Sequence, residues 1–161
     1  WGIPLPIWAN EARTELRCIG SVAELAQELA RARALGIENP DFDPATADLH
    51  RPYVDALRLA DSTGAPMTRE PDLIDVWFDS GAMPYAQWHY PFENEAQFRR
   101  SFPADFIAEG VDQTRGWFFT LHAIAVMTQG SVAYRNVVSN GLVLDKNGNK
   151  MSKRLGNAVD P

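Results

Sequence analysis

The 161 residues are 45% hydrophobic and 22% charged with a net charge of -6, which is the balance of a soluble globular chain and excludes a surface that wraps nucleic acid mainly by charge. One cysteine, Cys18, excludes an internal disulfide and a multi-cysteine zinc site. The longest apolar run, residues 116–127, is too short to cross a bilayer and no signal-peptide pattern opens the chain, so a cytoplasmic protein is expected.

The opening WGIPLPIW reads as an apolar extended segment already inside a domain, and residues 1–8 are expected to be the entry strand of that domain's core. With Trp1 first and Pro161 last, the sequence reads as an excerpt of a larger protein. Ser21 followed by Glu24 makes a capping box, and Val22, Leu25, Leu29, Ala32 and Leu35 then recur at helical spacing up to Gly36. That pattern predicts one amphipathic helix. From Ile37 to Asp75, prolines at 40, 44, 52, 66 and 71 and the stretch DSTGAP at 61–66 cut the chain into short pieces. Residues 9–74 are therefore expected to hold the helix and a loop-rich arm with at most a hairpin, and no chemistry.

The tempo changes at residue 72. DLIDVWFDSG (72–81) reads as a β-prone run ending in a glycine turn, DFIAEGVDQTRGWFFTLHAIAVMT (105–128) as strand, turn and helix, and RNVVSNGLVLD (135–145) as one or two short strands. Over 75–161 this is the grammar of an open α/β parallel sheet, in which ligands sit outside the carboxyl ends of the strands. Glu109, Asp112 and Gln113 fall at such a strand end and helix start, placed to face a ligand. The structural alternative is that Asp112 caps the helix and Glu109 is a solvated carboxylate.

All three lysines, Lys146, Lys150 and Lys153, lie in or next to the stretch NGNKMSKRLGN (147–157), whereas the twelve arginines are scattered from Arg13 to Arg154. Gly148 and Gly156 permit tight backbone, and between them Lys150 and Lys153 carry two mobile point charges suited to a phosphate whose geometry changes during reaction. A solvated turn with its lysines in water is the alternative. Neither a Walker loop nor a dinucleotide fingerprint is present.

KMSKR at 150–154 resembles the KMSKS loop of the class I aminoacyl-tRNA synthetases. WGIPLPIW at 1–8, DVWFDSGAMPYAQW at 75–88 and FIAEGVDQTRGWFFTL are similar, in the same order, to blocks of the isoleucyl branch of that family. The resemblance implies the C-terminal half of a Rossmann-like nucleotide-binding domain over 75–161, and an enzyme that uses ATP with Mg2+ to convert L-isoleucine to isoleucyl-adenylate and passes it to tRNA(Ile). It further implies that Glu109, Gly110 and Asp112, with Lys150, Met151, Ser152 and Lys153, bind ATP and the adenylate. Lys150 and Lys153 take the catalytic role on the departing pyrophosphate, Gln113 meets the amino-acid end, and Trp77 on its strand and Trp117 on its helix wall the side-chain pocket. Both tryptophans have an ordinary alternative as core residues.

Two departures from the family pattern stand out. Arg154 replaces serine at the fifth loop position, and the chain has no HIGH motif, which in the family lies in the other half of the nucleotide-binding fold. His50, His89 and His122 have neither that motif's neighbours nor metal-ligand spacing, so each is expected to be structural and no metal site is expected. The competing readings are a non-catalytic half-domain that binds nucleotide or a protein partner, and a synthetase for valine.

Overall fold

The computed structural model describes residues 3–158. The chain divides after Val76 into two compact units.

The first unit has strands β1 (Ile7–Asn10), β2 (Leu16–Cys18), β3 (Arg58–Ala60) and β4 (Pro66–Arg69) and helix α1 (Val22–Ala34). The strands form one antiparallel sheet in the order β2-β1-β4-β3. Helix α1 starts at the capping box: Ser21 Oγ accepts from the Glu24 amide at 3.1 Å, and the Glu24 carboxylate accepts from the Gly20 amide at 2.7 Å. Its buried stripe contributes Leu25 and Leu29 to a core with Trp8, Ile19, Val54, Leu57, Leu59 and Met67. Trp8 is fully buried at no polar cost, because its indole N–H donates to the Leu57 carbonyl at 3.0 Å.

The arm exceeds the single hairpin expected of it: β1–β2 and β3–β4 are both hairpins and join in the four-stranded sheet, and the β3–β4 turn is organised by Asp61. That carboxylate accepts from the Thr63 hydroxyl at 2.7 Å and from the Thr63 and Ala65 amides at 2.9 Å. With the Thr63 hydroxyl as the largest cause, these donors hold the carboxyl down at about 2.

Residues 3–8 sit differently from the strand expected over 1–8. Trp1 and Gly2 lie outside the described residues, and β1 runs from Ile7 to Asn10 with Trp8 opposite Arg17 on one side and Arg69 on the other. Its hydrogen-bond partners are strands of the arm, because burying Trp8 and Ala9 requires the core that α1, β3 and β4 supply.

The second unit contains helices α2 (Val76–Gly81, whose first residue is the last of the first unit), α3 (Met83–Ala86), α4 (Glu95–Ser101) and α5 (Trp117–Gln129) and strands β5 (Ile107–Gly110) and β6 (Val137–Asn140). β5 and β6 pair in parallel, Ile107 opposite Val137 through Gly110 opposite Asn140, with α5 as the crossover between them. Leu121 and Ala125 of α5 join Ala133 in a core against Phe102, Ile107, Trp117 and Tyr134. A second cluster stacks Tyr90 and Phe102 on Phe98, at centroid distances of 4.0 and 5.0 Å. Helix α5 stops at Gly130, whose φ of 62° is the left-handed cap that glycine adopts without strain.

The run at 72–81 is corrected. Its start is extended, with Leu73 bridging Pro4 in antiparallel fashion, but Val76–Gly81 form α2 and not a strand, so Trp77 lies on a helix. Val76, Trp77 and Phe78 are consecutive and do not alternate, and no strand edge flanks them among the described residues. The segment closes its own hydrogen bonds, the Ala82 amide donating to the Phe78 carbonyl at 2.8 Å. Gly81 lets α2 approach α5 closely: a Cβ there would stand 2.9 Å from Ile124 Cδ1 and 3.0 Å from the Thr120 backbone.

Candidate active site

Glu109 and Gly110 end β5 directly opposite Ser139 and Asn140 at the end of β6. The chain then passes through a 3-10 turn, Val111–Arg115, into α5. This is the carboxyl end of a parallel pair, where an open α/β sheet offers its ligand crevice. Glu109 and Asp112 are both exposed there. Gly110 leaves room for Asp112, since a Cβ at that position would lie 2.6 Å from Asp112 Oδ1. The Asp112 carboxylate is therefore folded back over the end of β5.

Capping of α5, the structural alternative for Asp112, falls to Gln113. Its Oε1 accepts from the Trp117 amide at 3.0 Å. The structure also gathers Trp77, Gln113 and Trp117 around Gly116. From the position of a Cβ on Gly116, Gln113 Oε1 is 2.9 Å away and Trp77 Cη2 is 3.6 Å away. The Trp117 indole N–H donates to the Ser80 carbonyl at 3.1 Å and so ties the first turn of α5 to α2. Trp77 is 42% exposed, whereas Trp117 is half-buried and packs on the core. Trp117 thus combines core packing with a place in the first turn of α5.

The lysine loop follows β6. Asp145 Oδ1 accepts from the amides of Asn147 and Asn149, both at 2.9 Å, and Gly148 turns the chain at a φ of 81°. Leu144 and Lys150 then bridge in antiparallel fashion. Donation from the Asn157 amide, ahead of that from the Asn149 backbone, lowers the Asp145 carboxyl below its ordinary range. Ser152 Oγ accepts from the Arg154 amide at 3.2 Å and starts a 3-10 turn, Lys153–Leu155, that ends at Gly156. Met151 and Ser152 are half-buried while Lys150, Lys153 and Arg154 are exposed. Among the described residues neither Lys150 nor Lys153 has a carboxylate partner.

Ser139, Asn140 and Asn157 escaped the sequence reading. The signal for the first two lay in the register of two parallel strands, and for Asn157 in a side chain that reaches back five residues to the Ser152 amide. His50 and His89 contact local carboxylates, Asp48 at 2.7 Å and Glu93 at 3.5 Å, and His122 is exposed on α5. Among the described residues no cluster of three or more His, Cys, Asp or Glu side chains is arranged to hold a metal, and no helix is long and apolar enough to cross a membrane.

The family profile of tRNA synthetases class I (I, L, M and V) matches residues 1–161. The chain belongs to this family. It is 65% identical to the isoleucine–tRNA ligase of Cytophaga hutchinsonii over 161 residues, 56% identical to that of Thermus thermophilus, and 48% identical over 162 residues to the cytoplasmic isoleucine–tRNA ligase of Mus musculus. All of this chain is covered in each case, against 14%, 14% and 12% of those relatives, so the chain spans about a seventh of their length. Among solved structures, the LeuRS chain of the Agrobacterium radiobacter K84 complex LeuRS-tRNA-LeuAMS matches with a TM-score of 0.58 at 18% identity, covering 100% of this chain and 20% of that one. The α/β arrangement is that of a class I synthetase catalytic domain.

Proposed function

We propose that this class I synthetase chain is part of a cytoplasmic isoleucine–tRNA ligase and carries the lysine-loop half of its Rossmann-like catalytic core. The observation that carries the reading is one unit holding both a KMSKR loop and a polar parallel-strand end, in a chain whose relatives at 48–65% identity are isoleucine–tRNA ligases. In the first reaction an oxygen of the isoleucine carboxylate attacks the α-phosphorus of ATP. The bond to the bridging oxygen breaks, leaving isoleucyl-adenylate and pyrophosphate. In the second, a terminal ribose hydroxyl of tRNA(Ile) attacks the adenylate carbonyl and AMP departs.

Negative charge grows on the pyrophosphate as the bond to the α-phosphorus breaks. Ammonium groups that engage it more strongly then than in the ground state raise the rate. Lys153 and Lys150 are suited to this, being exposed, without carboxylate partners among the described residues, and set on a braced turn. Mg2+ arrives with ATP as part of the substrate. Glu109 and Gly110 meet the adenylate, Asp112 accepts from the ribose hydroxyls, and Met151 and Ser152 line the nucleotide. Gln113, whose oxygen is engaged on α5, turns its amide N–H groups to the amino-acid end. Trp77 and Trp117 wall the side-chain pocket.

The test is pyrophosphate–ATP exchange by the complete polypeptide with isoleucine, valine or no amino acid. Exchange that depends on isoleucine and is at least about 10-fold weaker with valine supports the reading. A valine rate equal to or above that for isoleucine, or no amino-acid dependence, overturns it.

A further inference from the structure

The lysine loop is held by two side chains that belong to neither lysine. Asn157 reaches back across the loop with both ends of its amide. Its Oδ1 accepts from the Ser152 amide at 2.8 Å, and its Nδ2 donates to Asp145 Oδ2 at 2.9 Å and, more weakly, to the Lys150 carbonyl at 3.4 Å. Asp145 is the other anchor, since its Oδ1 takes the Asn147 and Asn149 amides while Oδ2 takes Asn157. The backbone closes the same turn, with the Asp145 amide donating to the Asn149 carbonyl at 2.8 Å. Both carboxylate oxygens and both ends of the amide are thus engaged, and the backbone of Lys150–Ser152 is pinned on each side.

Asp145 and Asn157 are half-buried, and three of these contacts end on the Asp145 carboxylate, so they hold the loop more firmly than neutral surface hydrogen bonds would. Every one of these bonds lies within residues 145–157 and joins the loop to no other element, which fits positioning of the loop better than global stability. The two ammonium groups sit on long flexible stems, and their reach toward a phosphate depends on where the backbone at 150 and 153 is held.

We propose that Asp145 and Asn157 form a latch that holds the KMSKR loop in the conformation from which Lys150 and Lys153 engage the pyrophosphate, making them positioning residues for adenylate formation. The proposal rests on the synthetase reading given above. Asn157→Asp removes the donor and sets two carboxylates face to face. Asp145→Asn keeps an acceptor for the Asn147 and Asn149 amides but presents a second donor to Asn157. The double exchange, Asp145→Asn with Asn157→Asp, restores one donor and one acceptor across the same gap, while the position at 157 still offers an oxygen to the Ser152 amide.

The experiment compares these three variants and the parent in the complete polypeptide by two readouts. One is the isoleucine-dependent exchange rate, with kcat separated from the KM for isoleucine. The other is the rate of tryptic cleavage after Lys150, Lys153 and Arg154, which needs no catalysis. Each single exchange is expected to lower kcat about 30-fold or more, with the isoleucine KM within about twofold, and to speed loop cleavage about 10-fold, while the double exchange recovers most of both. Single variants that match the parent in cleavage and kcat, or a double variant as impaired as the worse single one, overturn the latch. If the parent itself shows no isoleucine-dependent exchange, the synthetase reading fails and the cleavage readout alone decides the latch. A single variant that does not fold while the double variant does shows coupling in global stability and not in positioning, and counts against the proposal.

Discussion

Replacing Gly110 by alanine isolates what the end of β5 does. The new Cβ would stand 2.6 Å from Asp112 Oδ1, where ordinary contact begins at 3.4 Å, so the carboxylate oxygen must retreat by about 0.8 Å. Gly110 has an extended backbone with φ of -66° and ψ of 152°, which alanine adopts freely, and the obstructing atom is the tip of a flexible side chain. Folding therefore loses little, and the melting temperature should stay within about 2 °C of the parent. Function should not be spared. If Asp112 accepts from the ribose hydroxyls, a hydrogen bond to a charged acceptor is worth about 1.5–3 kcal/mol, or about 10- to 150-fold in affinity. Displacement by most of an ångström should forfeit much of that, raising the ATP KM by about 10-fold or more. The assay is pyrophosphate exchange against ATP concentration for Gly110→Ala, Asp112→Ala and the double variant. The double variant should be no worse than Asp112→Ala alone, because the clash acts only through that carboxylate. Additive losses, or an unchanged ATP KM in Gly110→Ala, would refute the reasoning.

Other consequences follow from the same geometry. Trp117→Ala removes a ring that packs on the core and, in the proposed site, walls the isoleucine pocket, and should weaken isoleucine activation by about 3 kcal/mol or more. Both it and Trp77→Ala should also narrow the ratio of isoleucine to valine activation, so two variants that keep the parent's ratio and isoleucine affinity would make these rings core residues only. Asp61 has a carboxyl lowered from 3.8 to about 2, so the stability it contributes is present above the unfolded value and is lost as pH falls from about 4 toward 2. Melting curves across that range should show a steeper fall for the parent than for Asp61→Asn, and parallel curves would contradict the assignment.

How much of this was legible beforehand depended on the distance over which each element is specified. Helix α1 was readable because Ser21, Glu24 and the apolar stripe lie within four turns of one another. The β5–turn–α5 passage was readable for the same reason, as strand, polar turn and apolar helix in direct succession. The antiparallel sheet was not, because β1 finds β4 across nearly sixty residues and nothing local selects that edge. Trp77 was misplaced because Val76, Trp77 and Phe78 favour strands by residue type, whereas the segment closes its own helical hydrogen bonds and packs closely on α5 through Gly81, neither of which shows in the local sequence. Gln113 illustrates a further limit. Motif resemblance proposes it for an amino-acid site, but its capping of α5 required knowing that its oxygen meets the Trp117 amide.

The central claim is that the exposed lysines act on pyrophosphate as it leaves, and single-turnover formation of isoleucyl-adenylate measures that step alone. Parent and Lys153→Ala enzymes, in the complete polypeptide and saturated with isoleucine and MgATP, are followed by quenched flow. The variant should form adenylate about 100-fold more slowly or worse, with isoleucine affinity unchanged within about twofold, as expected of a contact made mainly in the transition state. A variant that forms adenylate at the parent's rate would contradict the account.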